Sequence, residues 1–148
     1  MNLGSEQRYA EAASEIIGER AQAVFAHKRK HVLDIADIEG VHEMRVATRR
    51  LRAALEVFGP CLHRKRGSRA LREVKALAAA LGERRDRDVQ LELLEQLHGE
   101  CSGTEQRAVE LLARELRGEQ QQVNRELAEA LAHAKRTRLQ GRLARLAR

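Results

Sequence analysis

Val41-His42-Glu43-Met44-Arg45-Val46-Ala47-Thr48-Arg49-Arg50-Leu51-Arg52-Ala53-Ala54-Leu55 is the stretch on which the reading of this chain turns. At about 100° of rotation per residue, Met44, Ala47, Leu51, Leu55 and, just beyond, Phe58 fall on one flank of a helix. His42, Arg45, Arg49 and Arg52 fall on a second flank, at i, i+3, i+7 and i+10. Arginines placed only for solubility are scattered. A column of cationic or potentially cationic groups along one helix face suits an extended anion.

The rest of the chain supports a helical setting for that column. Its 148 residues suit one domain over 1–148, long enough for a real core. The hydrophobic fraction is 43%, but it is mostly Ala and Leu, with one Tyr, two Phe and no Trp. Arg, Glu, Gln, Leu and Ala are good helix formers, and the β-branched and aromatic residues that strands favour are sparse. The fold class expected is all-α.

Charge is unevenly spread. Residues 27–72 hold 12 Lys/Arg against 5 Asp/Glu, a net of +7, and residues 133–148 hold 6 against none. Residues 1–26 and 73–132 are mildly acidic, at −2 and −5, which leaves the whole chain at +6. Two basic blocks attract polyanions more strongly than a uniformly basic surface would, although a charge run by itself reads equally well as a solvated face. No apolar run approaches the roughly 20 residues that span a bilayer, and residues 1–10 lack a signal-peptide layout. The expected setting is soluble and cytoplasmic, with no membrane partner. Cys61 and Cys101 are too few and too far apart for a zinc site or a disulfide framework.

Hydrophobic spacing predicts a first helix opening at Gly4-Ser5, capped by Ser5, and running to about Ala36. Asp37–Gly40 then forms a turn. The basic helix occupies about 41–59, stopped by Gly59-Pro60. Ser68 is the expected cap of a third helix with Leu71, Val74, Leu77 and Leu81 at core spacing, which Gly82 kinks or breaks. A fourth helix begins at Ser102-Gly103-Thr104, and residues 136–147 suit a short fifth one bearing Leu139, Leu143 and Leu146. Short connections predict antiparallel neighbours, hence an up-down four-helix bundle with a short C-terminal helical extension.

The block His42–Arg52, closed by Phe58, resembles the signature of the CHAD family, the conserved-histidine α-helical domains. Leu71-Arg72-Glu73-Val74-Lys75-Ala76-Leu77 is similar to the family's third-helix segment. Leu81-Gly82-Glu83-Arg84-Arg85-Asp86-Arg87-Asp88-Val89 resembles its Leu-Gly-x-x-Arg-Asp-x-Asp-Val motif. The resemblance is strong over 41–89 and limited to helical character over 90–148. It implies a binding module for inorganic polyphosphate, associated in bacteria with polyphosphate granules, and contacts from His42, Arg45, Arg49, Arg52 and Lys75, with Arg50 and Arg85 as further candidates. Family members typically pair two such bundles, each with its own basic helix. This chain carries one, equivalent to half of that arrangement, so a homodimer that rebuilds the pair is expected.

The residues also allow plainer readings. Arg50 and Arg72 are either contacts or ordinary surface charges. Arg85 with Asp86 and Asp88 reads as an ion-pair network bracing the bundle near Gly82, since carboxylates repel a polyanion. Lys75 either binds or snorkels, and His42 either binds or packs between helices. A histidine in the site would strengthen anion binding as pH falls, its unperturbed pKa being near 6.5. His27 and His31, at i and i+4, could share a metal, but no nearby acid or cysteine completes the set. No metal or cofactor is therefore expected.

Arginine grips phosphate oxygens bidentately, and polyphosphate offers no bases to stack. Few aromatics weigh against single-stranded nucleic acid, though duplex-backbone binding is also charge-driven. A histidine phosphotransfer domain is a competing reading. Arg45 fits three residues after His42, but Val46 stands where such domains place glycine. Phosphoryl chemistry calls for metal-binding carboxylates or an activated nucleophile. Glu43 and Glu56 read as lying off the His/Arg flank, and no Gly-x-x-x-x-Gly-Lys-Ser/Thr loop occurs. Binding without catalysis is the expectation.

Overall fold

A computed structural model describes residues 3–146. They form α1 (Leu3–Phe25), α2 (Arg29–Val32), α3 (Glu39–Val57), α4 (Arg64–Glu100), α5 (Thr104–Arg136) and α6 (Leu139–Leu143), with a single 3-10 turn at Gly59–Cys61 and no strand among the described residues. The all-α expectation holds. Alanines and leucines at helical spacing supply the core: Ile17, Leu51, Leu55, Leu81 and Leu127 are each almost wholly buried.

α1 packs on α3, α3 on α4, and α4 on α5, while α6 touches α1, α4 and α5. The α4–α5 pair is an antiparallel hairpin. Its cross-helix hydrogen bonds His98–Glu110, Gln120–Asp88 and Arg84–Asn124 step outward from the turn by nearly equal amounts on both helices. At about 1.5 Å per residue, α4 is roughly 55 Å long and α3 roughly 28 Å. The hairpin therefore reaches past the helices beside it, and Leu93, Leu97, Leu111 and Leu112 on that reach are exposed.

Several boundaries differ from expectation, each for a physical reason. The first helix stops at Phe25 rather than Ala36, because Lys28 is extended (φ −70°, ψ 130°) and the short α2 follows. The end of α2, a few residues on, is held by side chains from distant helices that take its carbonyls. Arg84, completely buried, donates to Val32 O (3.3 Å) and Asp34 O (3.1 Å), and Asn124 donates to Leu33 O (3.0 Å). α1 begins at Leu3, so Ser5 lies inside it and is no cap. α4 starts at Arg64, four residues before Ser68, with the His63 ring accepting from the Arg66 N–H (3.3 Å). α4 runs through Gly82 without interruption. α5 continues to Arg136, and the last helix shrinks to Leu139–Leu143, although Leu139, Leu143 and Leu146 are all buried as expected.

The expected bracing network also changes membership. Arg84, not Arg85, pairs with Asp88 (Nε to Oδ1, 2.9 Å), and the same Oδ1 accepts from Gln120 Nε2 (2.7 Å). Arg84 also donates to Asn124 Oδ1 at 2.6 Å. Asp86 is exposed and takes no part. Asp88 thus has the structural role foreseen for it, and Asp86 does not.

Gly40 is not in a turn but in the first turn of α3, and it is buried. A Cβ there would sit 2.7 Å from both the His31 ring and the His31 carbonyl oxygen. Gly40→Ala is expected to destabilise the fold by about 1–3 kcal/mol through that overpacking, read as a lowered urea midpoint with unchanged slope. Arg84→Ala, which strands the buried Asp88 carboxylate and three acceptors, should cost about 3–5 kcal/mol.

Candidate functional site

α3 carries the cation column because its other side is committed to the core. Val41, Met44, Thr48, Leu51 and Leu55 are buried, with Thr48 turning its hydroxyl back to Met44 O at 2.8 Å. What remains outward includes His42 and Arg45, both half-buried, and Arg49 and Arg52, both exposed. From His42 to Arg52 the column rises about 15 Å. Arg50, one residue on from Arg49, is rotated about 100° away and is exposed apart from the column.

α4, which packs against α3, carries the other two predicted cations. Lys75 and Arg85 also lie ten residues apart, about 15 Å along the axis. Ala78, Ala79 and Gly82 share their flank by helical rotation, and a Cβ added at Gly82 would meet nothing within 4 Å. This side of α4 is therefore open and low in relief. The two helices come together at one end through the segment after α2: His31 touches Gly40 at the start of α3, and Val32 and Asp34 accept from Arg84 on α4. His42 and Arg85 accordingly occupy the same end. The short link 58–63 closes the opposite end, nearer Arg52 and Lys75.

Ion pairing separates the arginines into two groups. Arg69, Arg84, Arg87 and Arg142 each have a carboxylate within 4.0 Å. Among the described residues Arg45, Arg49, Arg50, Lys75 and Arg85 have none, so their donors are available to a ligand. Arg52 is the exception within the column, its Nε lying 3.1 Å from Glu56 Oε1. Glu56 is thus on the His/Arg flank and not off it, as i+4 spacing from Arg52 requires. This exposed pair is weak and readily exchanged for a stronger anion.

Two of the predicted binding residues carry unsatisfied polar atoms. His42 Nδ1 and Arg85 Nη1 are covered yet find no hydrogen-bond partner among the described residues. Arg87 Nε and Asp88 Oδ2, on the hairpin, share that condition. A buried donor without a partner costs about 1–3 kcal/mol, and such costs are commonly carried where a ligand or ordered water completes the site.

The expected pairing of His27 and His31 along the first helix does not form. His27 lies in the bend after α1 and His31 in α2, so the two do not share one helix face. His31 instead approaches Asp37 (4.0 Å), and no cluster of metal-ligating groups occurs among the described residues. Cys61 and Cys101 are both free. Partial burial, then the hydrogen bond and charge of Glu105, push the Cys101 thiol above its ordinary value, leaving it a poor nucleophile at neutral pH. No described helix is long and apolar enough to cross a membrane.

The geometry makes a spectroscopic prediction. Titrating the protein with pyrophosphate should move the His42 ring and Arg85 side-chain resonances together. The exposed but offset Arg50 should respond less.

No curated protein and no solved structure matches the chain. A family model, described as the CHAD domain, matches residues 15–148. That span takes in α3 and α4 with all three motifs, and also residues 90–148, where sequence reading found only helical character. CHAD domains are known as a polyphosphate-binding family and as binding modules. With the match covering nearly the whole chain, this protein belongs to the CHAD domain family.

Proposed function

We propose that this chain binds inorganic polyphosphate along the outer face of α3 and α4, without transforming it. The observation that carries the reading is the column His42, Arg45, Arg49 and Arg52 on α3, with Lys75 and Arg85 on the α4 packed against it, most of these cations free of carboxylate partners among the described residues, on a chain of this family. Each guanidinium offers a fork that matches two phosphate oxygens. The two helices present cations over matching rises of about 15 Å, so a flexible polyanion can run along both. Arg50, set apart, acts as an outlying attractor. On this reading the four long helices stand as an up-down antiparallel bundle whose task is to hold the two faces rigid. The setting is the cytoplasm, at polyphosphate granules where these form.

Arg45→Ala combined with Arg49→Ala should weaken binding of long-chain polyphosphate by roughly tenfold to a hundredfold, about 1 kcal/mol or somewhat more for each charge-assisted hydrogen bond removed. Helicity should be retained. Removing two cations should also lower the slope of log affinity against log salt by about 1.4, taking the single-strand value for each phosphate neutralised. Competition at fixed salt should favour polyphosphate over duplex DNA, and a clear DNA preference would sink the reading in favour of a general nucleic-acid binder. Recovery of phosphohistidine at His42 after exposure to a phosphodonor would instead revive a phosphotransfer role.

A homodimer is the second part of the proposal, supported by the exposed Leu93, Leu97, Leu111 and Leu112 on the reach of the α4–α5 hairpin. Pairing two hairpins would bury these leucines and bring two basic faces into one particle. Light scattering should give twice the chain mass, reduced to one by Leu93→Glu with Leu97→Glu. A clean monomer that still binds polyphosphate tightly would remove the dimer and leave the binding face standing.

A further inference from the structure

The two basic blocks of the sequence meet at a place the polyphosphate reading does not use. A cavity of about 480 Å³ opens between the end of α1 and the α5–α6 junction. His27, Lys28 and Arg29 reach it from the first block, and Lys135 and Arg138 from the second. Among the described residues no carboxylate lines it. The larger cavities at α4–α5 are different, with glutamates set among their arginines. Its inner wall is apolar, made by Phe25, Met44 and Leu131.

Such a site separates charge from hydrocarbon: cations at the rim, an aromatic and a thioether among the groups within. The volume falls in the range of ordinary small-molecule pockets, about 300–1,000 Å³. Polyphosphate would leave the apolar wall unused. We propose that this cavity is a second anion site, separate from the α3–α4 face, that takes a small organic polyphosphate of nucleotide type. The phosphates would meet Lys28, Arg29, Lys135 and Arg138, and the base would lie against Phe25 and Met44. Met44 and His42 are two residues apart and so on nearly opposite sides of α3, which keeps the two sites distinct.

Arg138 provides the sharpest handle. Its backbone is left-handed (φ 53°, ψ 47°), just after the end of α5. Glycine adopts that conformation more easily and is the usual residue there, so the position retains a guanidinium against backbone preference. Arg138→Gly therefore removes the charge and keeps the fold.

The test is calorimetric titration with ATP and with inorganic tripolyphosphate at one ionic strength, on the wild type, on Arg138→Gly with Lys135→Ala, and on Arg45→Ala with Arg49→Ala. ATP is expected to show one tight site per chain, above any weaker binding on the α3 face, and to bind there about tenfold more tightly than tripolyphosphate. The first variant should lose at least tenfold in ATP affinity with its melting temperature kept, while the second stays within twofold of wild type. Equal affinity for the two ligands, no ATP binding, or ATP binding abolished only in the Arg45/Arg49 variant would overturn the proposal. An unchanged ATP affinity with a lowered melting temperature in the first variant would also overturn it, assigning Lys135 and Arg138 to the end of the α5 dipole instead. Loss of ATP binding only in the Arg45/Arg49 variant would place ATP on the α3 column, and each of the other results leaves polyphosphate binding at α3 as it stands.

Discussion

The buried guanidinium of Arg84 is the constraint on which the rest of this structure depends. It is completely shielded from solvent, and its nitrogens reach Asp88 on its own helix, Asn124 on α5, and the carbonyls of Val32 and Asp34. A charge buried to this depth is tolerated only when fully hydrogen-bonded and paired. Satisfying it fixes the register of α4 against α5 and pins the chain after α2. α2, directly before that segment, meets Gly40 so closely that an added Cβ would crowd His31. The start of α3, and with it His42, is positioned by an ion pair that touches no ligand.

The arginines of this chain thus divide by surroundings more than by number. Arg84 braces the interior, Arg142 ties α6 to Glu73 on α4 at 2.6 Å, and Arg87 pairs with Glu83 along α4. Most of those on the outer face of α3, together with Arg85, lack such partners among the described residues. A cation already paired with a carboxylate offers less to an anion, because its donors are occupied and its field is partly cancelled. Unpaired cations packed along rigid helices keep both, at some cost in mutual repulsion that a polyanion would relieve.

How much of this was legible depended on whether the cause was local. The α3 column was legible because helical rotation alone decides which of residues 41–55 share a face. The leucines of the C-terminal extension were legible for the same reason. The fixed end of α2 was not, since the residues that hold it, Arg84 and Asn124, lie on α4 and α5, far along the chain. Arg84 and Arg85 are adjacent and chemically identical. Only the packing of α4 against α5 turns one inward and leaves the other half-exposed. His63 as the cap of α4 was not legible either, because histidine is not among the usual capping residues.

The sequence by itself determined that this chain is helical, that one helix carries a column of cations, and that its motifs are those of the CHAD family. Composition and residue periodicity are properties of neighbours along the chain, and they suffice for those conclusions. The tertiary structure alone decided which arginine is buried, why a Cβ at Gly40 would be overpacked, and that residues 27–29 and 135–138 share a cavity. The first and last of these depend on segments roughly 50 to 110 residues apart, and the second on how α2 is pinned against α3. Their geometry is set by how the helices pack and not by any local pattern.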